Sequence, residues 1–197
     1  GDVAKATISD ANPALFLAIG IFVLAFIVLY SMSIPEPHIV AEKSTEKNTH
    51  SPLSFRHFVL GAIAIFVYVG VEVGIPNIAN LYITGDLQIN ATTAGTVVGT
   101  YWFLMLVGRL TGGVLGSKFS SKSMLSFAAV LGLVFVLLAI FLPKDQMVSM
   151  PVFQSDISFG LAQVPVSIML LVLCGLCTSV MWGGIFNLAT EGLGKYT

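Results

Sequence analysis

Five stretches of this chain are long enough and apolar enough to cross a lipid bilayer as helices. A hydrocarbon core about 30 Å thick needs about 20 consecutive apolar residues in helical form. Charged residues make up 10% of the chain, whereas a soluble domain carries about 25%. The stretches also lack the period-two alternation of barrel strands. We therefore predict an all-α, polytopic membrane protein whose five transmembrane helices cover about 12–33, 58–83, 93–116, 123–142 and 166–189.

Basic residues are distributed unequally between the two sets of connecting loops. Six Lys or Arg residues lie in 34–57, 117–122 and 190–197, and two lie in the opposite set, at Lys5 and Lys144. Because loops rich in Lys and Arg stay in the cytoplasm, the first helix is predicted to run inward. The chain starts without Met and ends soon after the fifth stretch. We expect it to be an internal piece of a longer protein.

Glu72 is the charged residue that most needs an explanation. It is the one acidic or basic residue between Arg56 and Asp86, near the middle of the second apolar stretch. A carboxylate at that depth is costly unless it is paired, protonated or facing water, so an intramembrane acid is a functional-site candidate. The alternative is an acid that a neighbouring helix neutralises, or one that stays protonated for packing alone. We favour the functional role.

Several chemistries lack their sequence signatures. The chain contains no Walker A, HExxH or GxSxG motif, and its basic residues are too few and too dispersed for a nucleic-acid surface. Cys174 and Cys177 share one helix face and are predicted to be small packing residues. His38, His50 and His57 lie in or beside a polar loop without metal-ligand spacing. We predict no enzymatic activity, no metal, no other cofactor and no nucleic-acid partner.

The turn after the third stretch carries a more specific motif. Residues 108–122 read GRLTGGVLGSKFSSK, which resembles the loop signature G-x-L-[GAS]-[DN]-[RK]-[FY]-G-R-[RK] of the major facilitator superfamily. The matching positions are Gly113, Leu115, Gly116, Lys118, Phe119 and Lys122. Ser117 replaces the acidic residue of the signature, and Ser120 and Ser121 replace its Gly-Arg pair. Small residues before the turn favour close helix packing.

Three further segments resemble the fucose permease and glucose/galactose transporter branch of that superfamily. They are FVYVGVEVGI at 66–75, FLMLVGRLTG at 103–112 and IFNLATEGLGKYT at 185–197. The resemblance implies that the five stretches are helices six to ten of a twelve-helix fold. Residues 1–33 would hold the last helix of the N-terminal bundle, 34–57 the central cytoplasmic linker, and 58–197 the first four helices of the C-terminal bundle.

The resemblance also implies which side chains line a central cavity. In such transporters two bundles rock about a substrate site near the bilayer midplane, and here the second and fifth stretches would line it. The implied substrate-binding residues are Tyr68, Glu72, Asn77 and Asn80 in the second stretch, and Trp182 and Asn187 in the fifth. Pro76 frees the carbonyl of Glu72 from its normal backbone bond and can kink the helix. The alternative is that the asparagines bond neighbouring helices and the aromatic residues face lipid.

Arg109 is a second charge within an apolar stretch. It lies eight residues before Ser117, about 12 Å along a helix. It either extends to the cytoplasmic interface or faces the interior. The resemblance favours a structural, gating-related role over substrate binding, shared with Gly113, Gly116, Lys118 and Lys122. We do not expect a direct pair with Glu72, because Glu72 lies near mid-membrane and Arg109 nearer the cytoplasmic side.

These observations predict secondary active transport of a monosaccharide across the bacterial cytoplasmic membrane, by proton-coupled symport with alternating access. The predicted partners are the lipid bilayer, a sugar, protons and the remainder of the same polypeptide. The first alternative keeps the fold and changes the cargo to another small polar solute. The second is a structural membrane subunit that transports nothing.

Overall fold

The chain forms two compact units, Gly1–Lys47 and Asn48–Thr197. The structure, a computed structural model, describes residues 12–32, 51–143, 145–154, 156 and 158–193. Most of the predicted 34–57 linker therefore lies outside the described residues. The first unit contains helix α1 (Asn12–Ser31), whose apolar side chains are exposed within the unit.

The described part of the second unit contains four long helices that match the predicted stretches closely. They are α2 (Arg56–Leu81), which a π-helical turn extends to Asp86, and α3 (Ala91–Leu115), α4 (Ser121–Phe141) and α5 (Val166–Thr190). Helix α3 begins after Asn90, whose side chain accepts a 2.8 Å hydrogen bond from the Thr93 N–H, as an N-cap residue does. With α1, five helices among the described residues are long and apolar enough to cross a membrane.

Helix α5 lies at the centre of the second unit. Half of the residues in its most apolar 18-residue segment are buried, compared with 6% in the corresponding segment of α4. The reason is that α5 contacts α2, α3 and α4. Small residues permit these close contacts. A Cβ added to Gly61 would meet Ala189, one added to Gly112 would meet Val180, and one added to Gly175 would lie 2.5 Å from the Tyr101 carbonyl oxygen.

The contacts also fix the relative directions of the helices. Tyr101 of α3 meets Gly175 of α5, and further along α3 Gly112 meets Val180 of α5. Residue numbers therefore rise in the same direction along both helices, which are parallel. Along α2, Gly61 meets Ala189 and Tyr68 meets Thr178, so α2 runs opposite to α5. Helices α2 and α3 are therefore antiparallel.

The predicted helical membrane fold is confirmed, and the described residues add one element between α4 and α5 that was not predicted. Strands β1 (Met147–Phe153) and β2 (Phe159–Pro165) form an antiparallel hairpin in which Met147 faces Pro165 and Phe153 faces Phe159. The physical reason is a period-two pattern. Alternate side chains are buried on one face, at Met150, Val152, Ala162 and Val164, while the residues between them are exposed or partly exposed.

The hairpin is held against α3 by a ring cluster and a backbone contact. The rings of Phe103 and Phe153 stack 4.7 Å apart, and Phe159 meets both edge-on. The Phe153 N–H donates a 2.8 Å hydrogen bond to Thr100 Oγ1. Because Thr100 belongs to the first half of α3, the hairpin covers the helix ends that the Lys and Arg distribution predicts to be outside.

Candidate functional site

An open cavity of about 770 Å³ lies among α2, α3, α4 and α5. It extends from Glu72, in the middle of α2, to the turn between α3 and α4, where Gly116 and Ser121 line it. The remaining lining residues are Val69, Arg109, Gly112, Gly113, Met124, Ser179, Val180, Trp182, Gly183, Gly184 and Asn187. The cavity thus occupies the half of the second unit that is predicted to face the cytoplasm.

Glu72 and Arg109 form an ion pair on the wall of this cavity. Arg109 Nη2 lies 2.8 Å from Glu72 Oε1, so the expectation that the two residues would not pair is wrong. Side chains in an α-helix lean toward its N-terminus. Because α2 and α3 are antiparallel, Glu72 and Arg109 lean toward each other. The positions of Glu72 and Arg109 along their helices predict different depths for the two backbones, but the side chains extend toward each other and close the gap.

The two partners of the ion pair differ in exposure. The side chain of Arg109 is 52% exposed and that of Glu72 is 14% exposed. A guanidinium carries five N–H donors in a planar fork, and one of its nitrogens donates to Glu72 Oε1. The pair therefore neutralises the intramembrane carboxylate while Arg109 keeps donors for a polar ligand in the cavity.

Helix α5 contributes an aromatic and an amide side chain to the same cavity. The rings of Trp182 and Phe186 stack 5.4 Å apart and nearly parallel, and about half of each residue is exposed. Asn187 lines the cavity one residue further, and its Nδ2 donates a 3.4 Å hydrogen bond to Ser121 Oγ at the start of α4. Charge, amide and aromatic groups thus share one open space.

The other predicted substrate-binding residues lie outside this cavity. Tyr68 is buried, and its hydroxyl donates a 3.0 Å hydrogen bond to the Thr178 carbonyl. Asn77 is exposed, and its amide donates to the Val73 carbonyl of its own helix. Asn80 is half-buried on α2. None of the three belongs to the residues that line the cavity.

The residues with a predicted gating role separate into two groups. Arg109, Gly113 and Gly116 line the cavity. Lys118, in the turn between α3 and α4, and Lys122, in the first turn of α4, are exposed and do not line it. The motif that carries the family resemblance therefore lies at the edge of the cavity, with its glycines facing the open space.

Tyr101 is the important residue that the sequence analysis missed. Its side chain is 1% exposed, and its hydroxyl lies 3.0 Å from the Glu72 carbonyl oxygen and 3.1 Å from Thr178 Oγ1. Pro76 has no N–H to donate to that carbonyl four residues earlier. The missing backbone bond was visible in the sequence, but the donor that replaces it comes from another helix.

Comparison with known proteins agrees with the predicted resemblance. No protein-family model and no solved structure matches the chain. A Helicobacter pylori protein named as a glucose/galactose transporter is 30% identical over 185 residues, and the match covers 94% of this chain and 40% of that protein. A Brucella abortus glucose/galactose transporter is 27% identical over 190 residues with the same coverage. The chain spans about two-fifths of the length of these relatives.

The relatives and the helices together establish the broad class of the protein. The relatives are named as transporters, which are not enzymes. Five of the described helices are long and apolar enough to cross a membrane. The predicted resemblance to glucose/galactose transporters is confirmed, and the chain is a polytopic membrane protein similar over 94% of its length to transporters of that name.

Proposed function

We propose that this chain forms part of the sugar pathway of a secondary transporter in the bacterial cytoplasmic membrane. The observation that carries the proposal is the Glu72–Arg109 ion pair on the wall of an open cavity. Charged residues within transmembrane segments mark substrate and ion pathways. The names of the glucose/galactose transporter relatives favour a monosaccharide as the cargo over other small polar solutes.

The lining groups suit a molecule that carries many hydroxyls. The Glu72 carboxylate accepts hydrogen bonds, the Arg109 guanidinium donates them, and the Asn187 amide does both. The indole of Trp182 supplies an apolar surface for the C–H face of a pyranose ring. A neutral sugar satisfies all three polar groups without adding charge to the cavity, which the ion pair leaves electrically balanced.

The position of the cavity fits an alternating-access cycle. It opens toward the turn between α3 and α4, which is the side that the Lys and Arg distribution predicts to be cytoplasmic. Rocking of two bundles about a site near the midplane would close this opening and expose the site to the other side. We propose that a proton gradient drives the cycle, with Glu72 or a residue outside this chain as the proton carrier.

The experiment is uptake of glucose and galactose by the full-length protein in proteoliposomes, with Glu72→Gln and Glu72→Ala as variants. If Glu72 only binds sugar, Glu72→Gln should weaken affinity and leave the pH dependence in place. If Glu72 carries the proton, Glu72→Gln should lose gradient-driven accumulation but keep sugar exchange. Asp86→Asn, at the exposed end of the α2 extension, is the matched acidic control and should transport normally.

Two results would overturn the proposal. If the full-length protein neither binds nor transports any monosaccharide, the proposed function is wrong, and another small polar solute or a structural role becomes the better assignment. Normal transport by both Glu72 variants would remove the ion pair from the sugar pathway, since neither an amide nor a methyl group replaces a carboxylate paired with Arg109.

A further inference from the structure

Three helices meet at a buried junction next to Glu72. The side chains of Tyr68, Tyr101 and Thr178 are each at most 3% exposed and belong to α2, α3 and α5. Tyr68 donates to the Thr178 carbonyl, and the Tyr101 hydroxyl contacts both Thr178 Oγ1 and the Glu72 carbonyl. The Tyr68 side chain also interacts with the side chains of Glu72 and Arg109, so this buried junction lies directly behind the cavity wall.

The contact between Tyr101 and Glu72 replaces a bond that α2 cannot make. In a regular helix the N–H of residue 76 would donate to the carbonyl of Glu72, but Pro76 has no N–H. A buried carbonyl left without a donor carries a full desolvation penalty. Because a carbonyl oxygen only accepts, Tyr101 must donate the proton. Helix α2 then continues without interruption through Pro76 to Leu81.

The close approach of α3 to α5 places the Tyr101 ring where it can do this. Gly175 lies against the Tyr101 backbone, and an added Cβ would lie 2.5 Å from the Tyr101 carbonyl oxygen. The Glu72 residue is therefore held at two points. Its carbonyl is bound by α3 through Tyr101, and its carboxylate is bound by α3 through Arg109.

We infer that Tyr101 is a positioning residue for the sugar site, which holds α2 at Pro76 so that the Glu72 carboxylate meets Arg109. The inference rests on the proposed function only in naming sugar as the ligand. Loss of the Tyr101 hydroxyl leaves the Glu72 carbonyl without a donor, so α2 gains freedom to bend at Pro76 and Glu72 moves relative to Arg109.

The test is a double-mutant cycle in the full-length protein with Tyr101→Phe and Pro76→Ala. Alanine at position 76 restores the backbone N–H, so the helix again supplies a donor to the Glu72 carbonyl. Tyr101→Phe alone should weaken binding of glucose or galactose about fivefold, which corresponds to about one hydrogen bond. In the Pro76→Ala background, the same change should weaken binding by about twofold at most.

Tyr68→Phe is the control for this cycle. It removes the hydroxyl of an equally buried tyrosine that donates to the Thr178 carbonyl and interacts with the side chains of Glu72 and Arg109, but does not bind the Glu72 carbonyl. Whatever affinity it loses, the loss should therefore be the same with Pro76 and with Pro76→Ala. Equal losses of affinity for Tyr101→Phe in both backgrounds would overturn the inference. Unchanged affinity for Tyr101→Phe in the otherwise native protein would do the same.

Melting temperatures measured without sugar separate this inference from the proposed function. Tyr101→Phe should lower the melting temperature, and Pro76→Ala should remove most of that loss. If the protein binds no monosaccharide but this coupling is present, the proposed function fails and the positioning of Glu72 by Tyr101 stands. Absence of coupling between the two changes in melting temperature would refute the positioning role in either case.

Discussion

Tyr68 and Glu72 lie one turn apart on α2 and interact with each other, yet they differ in exposure. Tyr68 is 3% exposed and belongs to the buried junction with Tyr101 and Thr178. Glu72 lies on the cavity wall, where its carboxylate meets the half-exposed Arg109. The junction uses its hydrogen-bonding groups within the protein, whereas the wall keeps donors on Arg109 directed to an open space.

This difference separates residues that support the fold from residues that can bind a ligand. A buried polar group that is fully hydrogen-bonded within the protein has no capacity left for a substrate. A polar group with unused donors beside a cavity still has that capacity. Changes at the junction should therefore lower stability first, and changes at the wall should lower sugar affinity first.

The largest effect is expected at the glycine that lets Tyr101 reach the junction. Gly175→Val adds side-chain atoms against the Tyr101 backbone carbonyl. A backbone atom cannot move away by a side-chain rotation, so the two helices would have to separate. The free energy of unfolding should fall by about 3 kcal/mol, measured by denaturation of the full-length protein in detergent. Gly95→Val is the control, because an added Cβ there meets nothing within 4 Å. Similar losses for both variants would contradict the close packing of α3 and α5.

The next effect is expected at the cation of the cavity wall. Arg109→Gln removes the partner of Glu72 and the donors that face the cavity, so the Kd for sugar should rise about tenfold. Arg109→Lys keeps the charge and should retain part of the affinity. Equilibrium binding to the purified full-length protein measures both. If Arg109→Gln lowers the melting temperature and leaves sugar binding intact, the ion pair belongs with the junction as a stabilising contact.

A smaller effect is expected at the aromatic residue of the wall. Trp182→Ala should weaken sugar binding about fivefold, because an aromatic surface contributes about 1 kcal/mol to such contacts. Trp182→Phe keeps a ring and should bind nearly as well as the native protein. Phe66→Ala is the control, since Phe66 is 81% exposed on α2 and does not line the cavity. Equal losses for Trp182→Ala and Phe66→Ala would assign Trp182 to packing with lipid.

The smallest effect is expected at Asn77, which belongs to neither region. Its amide donates to Val73 on its own helix, and such local contacts contribute about 0.5 kcal/mol or less. Asn77→Ala should leave sugar affinity within about twofold of the native value. A larger loss of affinity in the binding assay would indicate that the sugar site extends past Pro76, as the family resemblance implies.

The sequence by itself determined the helices and the most unusual charge. The bounds of α2, α4 and α5 lie within a few residues of the predicted stretches, because a bilayer accepts few charges over about 20 residues. The same rule identified Glu72 as a residue that requires a partner or water. It did not predict the β1–β2 hairpin, because each strand has seven residues and a count of uncharged spans of helical length leaves this segment unassigned.

Only the tertiary structure decided which side chains meet. Tyr68, Glu72 and Arg109 all lie in apolar stretches, and nothing in their spacing shows that one is buried against α5 while the other two pair beside a cavity. That outcome depends on the antiparallel course of α2 and α3, which makes their side chains converge, and on glycines that let α5 approach its neighbours. The sequence determined that the carbonyl of Glu72 lacks a backbone donor. The packing of three helices decided that the hydroxyl of Tyr101 provides one.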